Sequence, residues 1–344
     1  SMIKGKQSIE FENTPYVIGY ACTAGKKEGE GPLGSYIDTI SEDAMFGMQT
    51  WEEAESHMQK LTAQTLLDKS GLTAEDIRYI FAGDLLGQLI ATSYGIMDLQ
   101  IPLFGVYGAC STMGETMALA SMSVAAGYAP KAVALASSHF ASAEKQFRFP
   151  LEYGNQRPLA ATWTVTGCGS VVLSEDDSMH DGSGKRAHIR VAGITTGKIV
   201  DYGVKDSMNM GACMAPAAAE LIAQNMSDFG AGDDYYDLII TGDLGLVGRT
   251  IILDLLERKG IHIEDRYSDC GIEIFDGDKQ DTHAGGSGCG CSAVTLCAKI
   301  LPMIEQGRLG RVLFVPTGAL MSPTSFNEGK SVPGIAHGIV LEHV

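Results

Sequence analysis

Short apolar runs alternate with longer helical patterns along the whole chain. The runs Ala132-Val-Ala-Leu-Ala136 and Val312-Leu-Phe-Val315 are too short and too evenly apolar for amphipathic helices, and each follows a glycine stop, Gly127 or Gly307. This order predicts βα units in layers. It also occurs twice. Gly71 to Leu85 carries a strand into Gly-Asp-Leu, and Gly232 to Leu244 does the same. Further along, Gly105 to Ser138 holds a glycine turn, a helix of small residues, the stop at Gly127 and a strand. The second half repeats that series with Gly285-Gly-Ser-Gly-Cys-Gly-Cys-Ser292, an apolar helix, Gly307 and a strand. Two halves are expected, residues 2–175 and 187–344, joined by the polar, glycine-bearing stretch Ser174 to Arg186 and packed face to face as one unit.

Composition narrows the classes of function. A chain of 344 residues with 45% apolar and 19% charged content can bury a large core. Forty-two acidic against 25 basic residues give a formal charge of -17, and basic residues cluster no further than pairs such as Lys26-Lys27 and Lys185-Arg186. Nucleic acid is therefore not an expected partner, and contact with anionic lipid has to pass through another protein. The stretch nearest to a membrane span, Ser111 to Ala126, is interrupted by Glu115, and the first twenty residues lack the succession of a signal peptide, so a soluble chain is expected. Eight cysteines without secretory features read as reduced thiols. Cys289 and Cys291 have no matching pair for zinc, and neither a metal nor a cofactor is expected.

The sharpest chemical feature is Leu103-Phe-Gly-Val-Tyr-Gly-Ala-Cys110-Ser-Thr-Met-Gly114. It sets one cysteine at a turn between a strand and a helix that begins near Ser111. Free N–H groups and the positive end of the helix dipole lower the pKa of a thiol there, which suits a nucleophile. A small buried thiol explains the same residue equally well.

Gly-Ala-Cys-Ser at 108–111, Thr-Gly-Cys-Gly-Ser-Val-Val-Leu at 166–173, the glycine run at 284–292 and Ile335-Ala-His-Gly-Ile-Val-Leu341 together resemble the ketoacyl synthase and thiolase superfamily. The resemblance implies an α/β thiolase-like fold, its duplicated halves layered α/β/α/β/α, and a homodimer. Working members support their cysteine with a histidine and with a second histidine or asparagine. Here Asp243 stands roughly where the first belongs, Gly285-Gly286-Ser287-Gly288 offers no second, and His283 precedes the motif. A carboxylate at that place opposes both a thiolate and an oxyanion. Cys110 is catalytic only under the alternative reading, a cysteine-dependent acyltransferase acting on an acyl-CoA or acyl-carrier substrate.

A closer resemblance, carried by Gly29-Glu-Gly-Pro-Leu-Gly34, Phe81-Ala-Gly-Asp-Leu-Leu-Gly-Gln88, Ala136-Ser-Ser-His139, Trp163-Thr-Val-Thr-Gly167 and Met214-Ala-Pro-Ala-Ala-Ala219, is to the stage V sporulation protein AD family of spore-forming bacteria. It implies binding of dipicolinic acid, alone or as its calcium chelate. It also implies help with uptake into the developing spore beside membrane-embedded transport proteins, from the cytoplasmic side and peripheral to the spore membrane. A flat dicarboxylate needs anion-favouring groups and a flat slot. The helix starts at Cys110-Ser111 and Gly285–Gly290 are expected to offer free N–H groups. The expected ligand-binding residues are Cys110, Ser111, His139, Arg148, Gly286, Ser287 and Gly288. Arg157 and Lys198 are further cationic candidates, and aromatic residues at 139–140 and 147–149 are candidates for the slot. Asp84 and Asp243, at matching places in the two halves, are expected to cap the loops after their strands.

Overall fold

Evenly apolar runs such as 131–136 and 311–315 make stable strands when both of their faces are covered. The computed structural model, which describes residues 2–147 and 159–344, covers both. Ten strands form the path of the main sheet: β1 (Tyr16–Gly25), β2 (Tyr79–Gly83), β3 (Leu103–Gly105), β4 (Lys131–Ser138), β5 (Gly167–Ser174), β6 (Ile189–Thr195), β7 (Leu238–Thr241), β8 (Tyr267–Asp269), β9 (Arg311–Val315) and β10 (Gly338–His343). Their spatial order is β8-β7-β9-β10-β6-β1-β5-β4-β2-β3.

Outward from the β6–β1 junction the two halves repeat one another. The order β1-β5-β4-β2-β3 is matched by β6-β10-β9-β7-β8. Directions match as well. β5 lies antiparallel to both β1 and β4, and β4, β2 and β3 run parallel. In the second half β10 is antiparallel to β6 and β9, and β9, β7 and β8 run parallel. The junction is narrow, with Arg190 aligned against Tyr16.

Helices repeat too. α1 (Trp51–Ser70) and α3 (Met210–Phe229) each span 20 residues, each with a side-chain N-cap, and each ends at a left-handed glycine, Gly71 or Gly230. α2 (Thr112–Ala125) and the helical stretch opened by α5 (Cys289–Thr295) are followed by left-handed Gly127 and Gly307. α4 (Gly245–Arg258) lies beside α3.

Strand alternation divides the side chains among three cores. In β4, Ala132, Ala134 and Ala136 face the middle of the molecule, whereas Val133 and Leu135 face α1. In β9, Val312 and Phe314 face the middle, whereas Leu313 and Val315 face α3 and α4. α2 and α5 fill the middle, so each is apolar nearly all round. The result is the five-layer α/β/α/β/α arrangement, with α2 and α5 opening at the centre. Among the described residues no helix is long and apolar enough to cross a membrane.

The central layer leaves little space. At Gly169 in β5 a Cβ would lie 2.4 Å from the carbonyl oxygen of Ala293 in α5. Gly169→Ala is expected to destabilise the fold by about 1–3 kcal/mol through overpacking. Gly277→Ala, where nothing lies within 4 Å of the added carbon, is expected to stay within about 0.5 kcal/mol of the parent. Urea unfolding of the two variants checks the contrast.

Candidate functional site

β2 and its counterpart β7 both lead into an aspartate, but the two carboxyls do different work. Asp84 accepts hydrogen bonds from the N–H of Leu86 (2.7 Å), the N–H of Thr92 (2.9 Å) and the Thr92 hydroxyl (2.6 Å), and so ties down the loop after its strand. After β7 that task falls to Asp269 at the end of β8, which accepts from the N–H groups of Leu244 (2.9 Å) and Gly245 (3.0 Å). Asp243 is left to face the centre. Its Oδ1 accepts from the Thr317 hydroxyl at 2.7 Å and its Oδ2 accepts from the Gly288 N–H at 3.0 Å, and the Cys110 thiol lies beside the carboxyl. The expected loop-capping role thus holds for Asp84 and fails for Asp243.

Cys110 follows Ala109, which adopts a φ of 51° that non-glycine residues rarely take. Together with Tyr107, Thr164, Met210, Ser287 and Gly288 it lines a cleft of about 50 Å³. Gly288 carries a φ of 96°, and a Cβ there would come within 2.6 Å of the Ser138 hydroxyl, so both the turn and the packing require glycine. The pairing of Gly286 with Trp163 and of Ser287 with Thr164 holds this loop beside the cysteine. The Ser287 hydroxyl is buried without a hydrogen-bond partner. An orphaned hydroxyl is costly in a folded interior, and one that lines a cleft marks a place for a polar ligand atom.

Electrostatics oppose a reactive thiolate. Burial is the first cause and Asp243 the second that hold the Cys110 thiol well above its ordinary pKa. The lowering expected from the start of α2 is outweighed, because a desolvated anion beside a carboxylate costs more than a helix terminus returns. Burial also pushes the Asp243 carboxyl up to about 7.

The other expected site residues lie in different settings. Ser111 is buried and donates its hydroxyl to the Gly108 carbonyl at 2.5 Å. His139 is buried, with Nε2 2.7 Å from the Ala44 carbonyl oxygen and Nδ1 accepting from the Ala141 N–H at 3.1 Å. These partners make it a neutral ring, which burial favours by lowering its pKa, and leave neither nitrogen open to a ligand. Phe140 stacks on Trp163 at 5.7 Å, with the Lys27 ammonium 4.1 Å from the Trp163 ring centre. Arg148, Arg157 and the aromatic pair at 147 and 149 lie outside the described residues or have side chains outside them. Lys198 lines a separate hollow of about 290 Å³ with Gln7, Glu220, Gln224 and Lys259, which shares no residue with the cleft. That hollow is larger, yet it contains no cysteine or orphaned buried group. The glycine turn presents fewer free N–H groups than expected, since Gly288 donates to Asp243 and Gly290 donates to the Ser138 hydroxyl at 3.0 Å.

Thr317 escaped the reading of the sequence. Pro316-Thr317 follows β9 as His139 follows β4, so the internal repeat is the signal that could have found it.

A family model for stage V sporulation protein AD matches residues 5–342. The chain is 43% identical over 340 residues to stage V sporulation protein AD of Bacillus subtilis (strain 168), covering 99% of this chain and 98% of that protein. Solved structures with the same fold include 3-oxoacyl-(acyl carrier protein) synthase III of Pseudomonas aeruginosa PAO1, at a TM-score of 0.57 and 11% identity over 96% of this chain and 98% of that one. The corresponding synthase of Aquifex aeolicus VF5 aligns at a TM-score of 0.55 and 13% identity, over 95% and 99%. These likenesses establish the thiolase-like fold. With the family match spanning nearly its whole length, the chain belongs to the stage V sporulation protein AD family.

Proposed function

We propose that this sporulation protein binds dipicolinic acid in the Cys110–Ser287–Gly288 cleft and assists its uptake into the developing spore. The observation that carries the reading is the orphaned Ser287 hydroxyl in a cleft that keeps the cysteine of an acyltransferase but sets a carboxylate, Asp243, against it. Such a site favours a held ligand over a covalent intermediate. The cleft is narrow, and Met210 and Met321 at its wall can shift to admit a flat ring. The ligand enters alone or as its calcium chelate. The protein works beside membrane-embedded transport partners and is held peripherally at the spore membrane through them.

A homodimer belongs to the same reading. Among the described residues β3 ends the sheet and pairs only with β2, and Leu103, Phe104 and Tyr107 there are exposed. Phe104 stacks on Phe81 at 5.3 Å, which holds its ring against the sheet.

The left-handed Ala109 beside Cys110 favours the second reading, a cysteine acyltransferase, since strained backbone gathers at reacting groups.

Dipicolinate is expected to raise the melting temperature, with stabilisation of about 2.7 kcal/mol at a hundredfold excess over Kd. Cys110→Trp, which fills the cleft, abolishes the shift. An unchanged melting temperature at millimolar ligand contradicts the reading. Incubation with acyl-CoA followed by mass spectrometry is expected to find Cys110 unmodified, and an acyl adduct there establishes the acyltransferase instead. Phe104→Asp is expected to turn a dimer into a monomer in sedimentation velocity while leaving the melting temperature shift in place.

A further inference from the structure

Glu144 lines the cleft, and a second carboxyl, that of buried Asp243, stands behind its wall. Asp243 takes the Gly288 N–H at 3.0 Å and the Thr317 hydroxyl at 2.7 Å, with the Cys110 thiol beside it. Gly288 and Cys110 line the cleft, so donors that an incoming anion seeks there are engaged from behind by the protein itself. The titratable groups that face Asp243 are Cys110 at the start of α2, Cys289 and Cys291 on α5, Asp269 at the end of β8 and Cys270 next to it. All of them are acids or thiols. A ligand carboxylate brought up to ionised Asp243 meets repulsion that none of these groups offsets, whereas a proton removes it.

Resting on the ligand assignment above, we propose that Asp243 is a proton-linked gate: ionised, it holds the donors of the cleft, and protonated, it yields them to a ligand carboxylate, so that the anion enters together with one proton. The balance is simple. Asp243 gains a proton from solvent, and the Gly288 N–H that it held is freed to donate to the ligand. No other bond is made or broken. The rise of the carboxyl to about 7 sets the exchange near neutral pH. Below that value the free protein already carries the proton, and affinity is flat with pH. Above it, binding has to take the proton up, and affinity falls by up to about tenfold per pH unit.

Calorimetry with dipicolinate at about pH 8, in two buffers of different ionisation heat, counts the protons directly. The wild-type protein is expected to take up close to one proton per ligand, and D243N none, with an affinity that no longer varies with pH. Wild-type binding without proton uptake overturns the gate, and that measurement requires no variant to fold. Should neither protein bind dipicolinate at any pH, the ligand assignment fails, and the gate is then judged on the free protein. Alkylation of Cys110 by iodoacetamide, read by peptide mass spectrometry, is expected to be at least about tenfold faster in D243N, because the carboxylate that suppresses the thiolate is gone. Equal rates overturn the gate.

Discussion

Asp243 brings together segments that the chain order keeps far apart. Cys110 belongs to the first half, and Gly288 and Thr317 belong to the second. They meet because α2 and α5 both open in the central layer, between two strand sets that each demand cover on that face. Packing brings the helix starts together, and one buried carboxyl then uses the donors they offer. A buried carboxyl is tolerable only when its oxygens are satisfied, so the position of Asp243 and the shape of the cleft depend on each other.

Duplication explains where the parts come from, and divergence explains what they do. Asp84 still holds the loop that follows its strand, while in the second half Asp269 has taken over that work. Asp243 was thereby left to reach the cysteine. The thiolase-like frame persists, with its strand order written twice, but the electrostatics at its centre favour a neutral thiol.

Much of the frame was legible because its signals are local. Evenly apolar strands, glycine stops and the two Gly-Asp-Leu turns gave the repeat, and the resemblance to the thiolase superfamily implied the five layers. Cys110, Ser287 and Gly288 were legible as neighbours because each sits at the opening of a helix that the pattern located. The rest depended on three-dimensional packing. The sign of the Cys110 shift turns on burial and on a carboxylate more than a hundred residues away, neither of which a helix-start argument contains. His139 reads as a donor in its motif, yet Ala44 and Ala141, one of them distant in the chain, occupy its ring. The N–H of Gly288 looked open because its acceptor arrives from β7.

A crystal structure of the protein soaked with dipicolinate bears most directly on this account. The account predicts the pyridine ring in the Cys110 cleft, with one carboxylate within hydrogen-bond distance of the Ser287 hydroxyl and the Gly288 N–H. Ligand density confined to the hollow lined by Lys198 and Lys259, with the cleft unchanged, would contradict it.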